Sequence, residues 1–246
     1  MGKIKELLET LEEEIKNIQS SDFKVEVTST NNVPTTDDSG LTYPDLDEKR
    51  LKCKSIETCV LYIDIRKSTD LNVSNRPEKL SRLYSSFIRS MAKGAEFSGG
   101  KVRNIVGDRL MVVFPSVGCH QCAILCAGLL DLIGMTIDEH FKDAKFGWGI
   151  GIDFGKMLVT KAGIRKNGNE NANYKSLVWL GPTANIASKL TDEAGKDQEW
   201  YGEYIDHWFK YKASRILITD RVYKGLSEED QKKFEIQLGI YIPQYT

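Results

Sequence analysis

Two aspartates stand where a carboxylate needs a positive partner. Asp64 interrupts an apolar run that starts at Val60 and predicts a buried strand. A carboxylate in a core strand is costly unless a cation or a basic side chain lies against it. Asp108 falls in Gly107-Asp108, where a two-residue hairpin turn is expected between runs rich in Val and Ile. Two such acids are the oxygen ligands that Mg²⁺ and Mn²⁺ prefer, whereas a loop-capping Asp and a structural turn are the plainer alternatives.

Neighbouring residues on the Asp64 strand divide between its two faces. Side chains alternate along a strand, so Tyr62 and Asp64 share one face while Ile63 and Ile65 occupy the other. The tyrosine hydroxyl is therefore expected on the same side as the carboxylate.

Other segments are predicted to form the elements that position these acids. Helices are expected at about 77–97, 118–142 and 182–193, with a last one capped by Asp220. Besides the Asp64 strand and the hairpin at 101–114, strands are expected at 146–154, 157–164, 175–180 and 215–219. Gly155 is expected to turn the first of these into the second as a hairpin. This order predicts an α+β fold, a mixed sheet with helices on one face.

The sequence suggests that the chain has three parts. Residues 1–20 form a short amphipathic helix whose apolar positions have heptad spacing, and it either docks on its own domain or pairs with a second copy. Residues 21–50 are polar and read as a linker or partly extended arm. Residues 51–246 form the globular domain, with an aromatic insertion at 195–212 that packs on the core or on a partner.

Composition excludes some classes of protein. With 246 residues and a net charge of −1, the chain lacks the basic excess typical of a nucleic-acid binder. No uninterrupted apolar run approaches the roughly 20 residues of a membrane span, and the charged N-terminus does not resemble a secretory signal. We therefore expect a cytoplasmic protein without membrane insertion.

The five cysteines show no disulfide framework. Cys119, Cys122 and Cys126 fall on one face of a predicted helix. Cys119, His120 and Cys122 could form a metal site, but no second ligand pair follows at zinc-finger spacing. Buried thiols in a reducing compartment are the favoured interpretation.

Three motifs in this chain, in this order, resemble those of the class III nucleotidyl cyclases. They are Asp64-Ile65, the Gly107-Asp108 hairpin and the segment 180–189, Leu-Gly-Pro-Thr-Ala-Asn-Ile-Ala-Ser-Lys. The resemblance covers about residues 55–235. It implies a ferredoxin-like cyclase catalytic domain over 51–246 that works as a homodimer with active sites at the subunit interface.

The resemblance also assigns roles to residues. Asp64, Asp108 and the backbone carbonyl of Ile65 match the ligands of two Mn²⁺ or Mg²⁺ ions. Asn185 matches an asparagine that orients the ribose from the other subunit. Lys189 stands where the family usually has an arginine, so it keeps a positive charge but loses the bidentate geometry. Without the motif, Asn185 and Lys189 would be a surface amide and a solvated charge.

Departures from the family pattern concern the base. Positions that read a purine in the family hold Asn104 and Val178 here, and Tyr62 replaces the usual phenylalanine. Arg109, directly after the metal aspartate, is also unusual; it could bind phosphate or form a surface salt bridge.

These differences resemble the bacterial pyrimidine cyclases of Pycsar anti-phage defence. That likeness implies conversion of UTP, or CTP, to the 3′,5′-cyclic monophosphate and pyrophosphate, with the product read by a separate effector. The alternatives are a purine (adenylate or guanylate) cyclase with a divergent base pocket, and a catalytically inactive module for nucleotide sensing or dimerisation.

Overall fold

The structure is a computed structural model. It describes the backbone of residues 2–144, 146–163, 165–166, 169–170, 176–202, 207–212, 214–237 and 240–243, and the side chains of 2–144, 146–163, 176–196 and 214–234. The chain divides into two compact units. The first comprises Met1–Ile56 and Met157–Leu180, and the second comprises Glu57–Lys156 and Gly181–Thr246.

Helices and strands alternate irregularly along the described chain. The helices are α1 (Gly2–Gln19), α2 (Ser68–Ser74), α3 (Pro77–Phe97), α4 (Cys119–His140), α5 (Pro182–Glu193), α6 (Asp220–Lys224) and α7 (Glu228–Gln231), with a 3₁₀ turn at Lys142–Ala144. The strands are β1 (Lys24–Ser29), β2 (Arg50–Arg66), β3 (Lys101–Val106), β4 (Arg109–Val113), β5 (Gly147–Ala162), β6 (Arg165–Lys166), β7 (Asn169–Glu170), β8 (Ser176–Leu180), β9 (Asp197–Gly202), β10 (His207–Lys212), β11 (Ile216–Ile218), β12 (Phe234–Gln237) and β13 (Ile240–Pro243).

The described part of the first unit contains the N-terminal helix and three strand pairs, one of which is the short antiparallel pair of β6 and β7. β1 runs parallel to the start of β2, and β8 runs antiparallel to the end of β5. Helix α1 has no buried residue, and Asn17 near its end donates to the carbonyl of Leu46 at 3.2 Å. Leu41 and Tyr43 are buried. The predicted N-terminal helix is confirmed, and the arm after it is partly extended; the division into three parts stays a prediction.

The second unit is a sheet covered by long helices. β4 pairs antiparallel with both β2 and β3, while β11 runs parallel to β5. Helices α3 and α4 share one hydrophobic core with the sheet, in which Leu83, Phe87 and Leu130 pack against Leu61 and Ile150. This arrangement confirms the predicted α+β fold.

Helix α4 is long and apolar enough, by length and composition, to cross a membrane; it is the one helix of the described residues with this property. Eight of its residues are buried. Gly94 of α3 lies close to it, because a Cβ there would be 2.9 Å from a methyl of Leu130. Packing in the core accounts for the buried part of its apolar composition, while Leu125 and Leu132 are exposed. The cytoplasmic location stays a prediction.

The predicted hairpin at Gly155 is wrong. β5 is one continuous strand, and Gly155 is buried within it without a positive φ. A Cβ at Gly155 would lie 2.6 Å from Oγ1 of Thr183 in α5. The glycine therefore permits close packing and does not form a turn. The predicted partner strand extended to residue 164, which lies outside the described residues.

Two further glycines of β5 bring α5 close to the sheet. A Cβ at Gly151 would lie 2.4 Å from the carbonyl oxygen of Ala187, and one at Gly149 would lie 2.5 Å from that of Ala194. Ile150 and Ile152, which alternate with these glycines, belong to the core shared with α3 and α4. The two long helices thus cover one face of the sheet and α5 packs on the other, so helices lie on both faces and not on one face as the sequence predicted.

Because backbone atoms of α5 leave no room at Gly151, we expect Gly151→Ala to destabilise the fold. The cost of such overpacking is about 1–3 kcal/mol. Urea denaturation, with the slope of the transition checked for two-state behaviour, measures the change in the free energy of unfolding.

Gly128→Ala is the matched control for this substitution. Gly128 is an exposed residue of α4, and a Cβ there meets no atom within 4 Å. Alanine should stabilise the helix by about 0.5–1 kcal/mol. If both substitutions stabilised the protein, the close approach of α5 to β5 would be disproved.

Candidate active site

Strand β2 carries the first aspartate and alternates as predicted. Ile63 and Ile65 are 0% and 3% exposed, whereas Tyr62 and Asp64 are half-buried on the opposite face. The buried isoleucines fix the end of the strand in the core. Asp64 therefore has a defined position near the end of β2, with its side chain 15% exposed.

The second aspartate lies in a two-residue turn. Val106 of β3 pairs with Arg109 of β4, so Gly107 and Asp108 connect the strands. Gly107 has a φ of 62°, a left-handed conformation that glycine adopts without steric cost. The predicted hairpin is confirmed, and the turn brings Asp108 next to the start of β4.

Arg109 connects this turn with Asp64 and with helix α5. Its Nε and Nη2 donate to Oδ2 of Asp64 at 3.0 and 2.5 Å. Nη1 donates to the hydroxyl of Ser188 at 2.7 Å, and Nη2 also donates to the carboxylate of Asp192. One guanidinium thus joins β4, β2 and α5 through ion pairs and hydrogen bonds, and a role of Arg109 towards the nucleotide stays a prediction.

Arg66, at the end of β2, holds the last turn of α5. Its guanidinium donates to the backbone carbonyl of Asp192 at 3.0 Å and to that of Thr191. The hydroxyl of Thr191 in turn donates to the carbonyl of Tyr62 at 3.2 Å. The bonds from Arg66 satisfy two carbonyls that the helix end leaves unpaired, and the bond from Thr191 joins the helix to β2.

The negative charges of the two carboxylates repel each other. Burial raises the pKa of Asp108, and the negative charge of Asp64 raises it further, against a smaller opposite effect of Arg109. Oδ1 of Asp64 and Oδ2 of Asp108 are buried and have no hydrogen-bond partner among the described residues. Buried unpaired carboxylate oxygens of two acids fit a hard divalent cation, which takes oxygen ligands.

The remaining predicted metal ligand, Ile65, and the tyrosine Tyr62 flank Asp64 in β2. The side chain of Ile65 is in the core, so a contribution to the site would come from its backbone carbonyl. Burial raises the pKa of the Tyr62 hydroxyl, and positive Arg109 opposes this rise. Tyr62 is therefore neutral and close enough to Arg109 to experience its charge.

Other predicted residues are not in the Arg109 network. Asn185 and Lys189 are exposed on α5, and Asn104 is exposed on β3. Val178, 37% exposed on β8, belongs to the first compact unit. The roles that the sequence suggests for all of these residues remain predictions.

Sequence reasoning missed Arg66, Ser188, Thr191 and Asp192. Ser188 and Asp192 are spaced four apart, so they share a helical face, but a polar pair at that spacing is common on helix surfaces. Their contact with Arg109 spans 79 and 83 positions along the chain. Only the packing of α5 on β5 makes it recognisable.

The two aspartates have opposite environments, so replacing each of them by asparagine should change the melting temperature in opposite directions. Since the pKa of Asp108 is raised, its ionised form destabilises the metal-free fold above the ordinary carboxyl pKa of about 3.9. Metal-free Asp108→Asn should therefore melt above the wild type at pH 7. The difference should shrink as the pH falls through the raised pKa towards 4. Calorimetry in EDTA over this pH range measures both.

Asp64→Asn provides the contrast in the same experiment. It removes the carboxylate that accepts two bonds from Arg109, so its melting temperature at pH 7 should fall below that of the wild type. A lower melting temperature for Asp108→Asn as well would mean that Asp108 is stabilised by partners and not strained by Asp64.

Comparison with known proteins places this geometry in a family. The protein-family model described as "Adenylate and Guanylate cyclase catalytic domain" matches residues 52–199. A uridylate cyclase from Burkholderia cepacia is 31% identical over 179 residues, which cover 70% of this chain and 72% of that protein. A uridylate cyclase from Gulbenkiania mobilis is 28% identical over 211 residues, with 79% and 75% covered.

Solved structures share the fold at low sequence identity. The adenylyl cyclase CyaB from P. aeruginosa superposes with a TM-score of 0.58 at 19% identity and covers 80% of this chain and 97% of its own. The guanylyl cyclase Cya2 gives 0.56 at 15% identity, with 76% and 91% covered. With the Asp64 strand, the Asp108 turn and α5 in place, the chain belongs to the adenylate and guanylate cyclase catalytic domain family, the class III nucleotidyl cyclases.

Proposed function

We propose that this protein is a pyrimidine nucleotide cyclase that converts UTP to 3′,5′-cyclic UMP and pyrophosphate. The observation that carries the reaction type is the pair of buried, unpartnered carboxylate oxygens on Asp64 and Asp108. The pyrimidine substrate is supported by the similarity to proteins named uridylate cyclases.

Asp64 and Asp108, with the carbonyl of Ile65, would hold two Mg²⁺ or Mn²⁺ ions. When bound, such ions lower the pKa of the ribose 3′-hydroxyl and neutralise the triphosphate. The protein contributes the positions of the carboxylates, which the core fixes through Ile63 and Ile65. The neutral Tyr62 hydroxyl lies on the same face of β2 and can donate or accept a hydrogen bond from the nucleotide.

Arg109 would contact the nucleotide after its hydrogen bonds to Asp64 have broken and nucleotide oxygens accept them instead. Ser188 and Asp192 hold its guanidinium independently of Asp64, so the side chain keeps its place. A guanidinium only donates hydrogen bonds and so suits phosphate oxygens. If it reaches the base, it favours uracil, which offers a carbonyl oxygen where cytosine has an amino donor. Asn104 and Val178 stand where the resemblance places the purine readers, a Lys and an Asp, Thr or Cys, so a purine base would lack its usual partners.

A second copy of the chain would complete each site. Asn185 and Lys189 are exposed on α5, where they are available to the nucleotide of a partner subunit. Asn185 would orient the ribose, and Lys189 would neutralise phosphate charge as a point charge. We further propose that the product is a messenger read by a separate effector in anti-phage defence, as the likeness to the Pycsar cyclases suggests.

Parallel assays with ATP, GTP, CTP and UTP in Mn²⁺ test the substrate. We expect cyclic UMP as the main product, and Asp64→Ala should lower its formation by at least about a hundredfold, because metal-assisted stabilisation is worth several kcal/mol. Mass spectrometry identifies the product and distinguishes the 3′,5′ from the 2′,3′ ring.

Asp70→Ala is the matched control, because Asp70 is an exposed acid of α2 and its loss should leave activity unchanged. Cyclic CMP as the main product would mean that the substrate is CTP and not UTP. Cyclic AMP or cyclic GMP would disprove the pyrimidine proposal and leave a purine cyclase. The absence of any product would favour the sensing or dimerisation module.

Mixing two inactive variants tests whether the site is shared between subunits. Asp64→Ala and Asn185→Ala damage opposite halves of the proposed site. Coexpression should restore about a quarter of wild-type activity, since half of randomly formed two-fold dimers are mixed and each has one intact site.

Asp64→Ala coexpressed with Asp108→Ala is the control for this experiment. Both substitutions lie in the same half, so no mixed dimer has an intact site and activity should stay lost. Failure of the first pair to recover activity, with mixed dimers verified by two affinity tags, would mean that one subunit supplies Asp64 and Asn185 together.

A further inference from the structure

A second group of metal-ligating side chains lies in the core of the second unit. Cys59 of β2, Cys119 at the start of α4 and His120 each offer one ligand atom, and these three atoms lie within 4.8 Å of one another. Cys59 and Cys119 are 0% and 2% exposed, and His120 is half-buried. The group shares no residue with the aspartate site.

The distances approach those of a tetrahedral thiolate site. Sγ of Cys119 lies 3.6 Å from Nδ1 of His120. Bond lengths of about 2.3 Å to sulfur and 2.0–2.1 Å to nitrogen place the ligand atoms of Zn²⁺ about 3.5–3.8 Å apart. The separations found here, at most 4.8 Å, therefore need adjustments of about 1 Å or less to surround a cation.

The imidazole is held in this position by packing. Its ring lies 4.4 Å from that of Phe154, centroid to centroid. On another side is Gly225, where a Cβ would lie 2.2 Å from the ring. Its Nε2 is buried without a hydrogen-bond partner in the described part of the chain, so the polar contact of the ring is the one to Cys119.

Cys119 differs in its pKa from Cys59 and from Cys126, the other buried cysteine of α4. Burial raises the pKa of the Cys59 thiol, so Cys59 is the ligand that gives up its proton when the cation binds. Hydrogen bonds from Cys59 and His120 lower the pKa of Cys119 to about 4, whereas burial raises that of Cys126 to about 12. Thiolate is the ligating form of cysteine. Cys126 is therefore a matched control for Cys119, because it is a thiol of the same helix in an apolar setting.

We propose that Cys59, Cys119 and His120 bind a thiophilic divalent cation of the Zn²⁺ type. Two thiolates and an imidazole are borderline-soft donors, unlike the oxygen ligands of the aspartate site. On binding, a thiol that is still protonated loses its proton to solvent. A water or small anion takes the fourth position. The ion joins β2 to the first turn of α4.

Cobalt substitution tests this proposal on the full-length, reduced and metal-free protein. One equivalent of Co²⁺ should produce thiolate-to-metal charge-transfer absorption in the near ultraviolet together with the visible bands of tetrahedral cobalt. One equivalent of Zn²⁺ should abolish both. Asp64→Asn combined with Asp108→Asn should keep these bands, because oxygen ligands give no thiolate charge transfer.

Cysteine variants identify the ligands. Cys119→Ser should abolish the charge-transfer band and Cys126→Ser should retain it, with circular dichroism confirming that each variant is folded. If Cys119→Ser does not fold, His120→Gln decides, since it should lose tetrahedral coordination. Three results would overturn the proposal: absence of the charge-transfer band in the wild type, its undiminished persistence in folded Cys119→Ser, or persistence of the visible bands of tetrahedral cobalt in folded His120→Gln.

Discussion

The contact between Arg109 and Asp64 is the interaction on which the site depends. Two carboxylates brought together near the end of β2 and in the neighbouring turn repel one another, and each prefers water to a half-buried position. Arg109 offsets the charge of one of them and leaves an oxygen of each without a partner. Because the same guanidinium reaches Ser188 and Asp192, the interaction also fixes α5 relative to the two acids.

This position of α5 requires the glycines of β5. Gly149 and Gly151 give the helix backbone direct contact with the strand, and Gly155 makes room for Thr183 at the start of the helix. Larger residues would move α5 outwards and separate Ser188 from Arg109. The fold thus uses three missing side chains in one strand to bring the polar face of a short helix to the acids, while α3 and α4 stabilise the opposite face of the sheet.

Sequence patterns predicted what depends on local geometry. The alternation of Tyr62 and Asp64 with buried isoleucines, the turn at Gly107 and the proline that opens α3 all follow from the conformational preferences of neighbouring residues. Gly155 was misjudged, because a glycine that permits a turn and one that permits close packing look alike in a sequence. Contacts between distant segments, such as Arg109 with α5 or Cys59 with Cys119, left no local pattern to detect.

The two faces of β2 have different tasks for a physical reason. Its odd-numbered side chains from Cys59 to Ile65 are buried and fix the strand against α3 and α4. The even-numbered Tyr62, Asp64 and Arg66 are half-buried and contribute the charges and hydrogen-bonding groups of the site. A close-packed interior transmits displacement instead of absorbing it. A cation bound by Cys59 and Cys119 would therefore restrain the same strand that positions Asp64, which links the stability of the core to the geometry of the acids without any shared ligand.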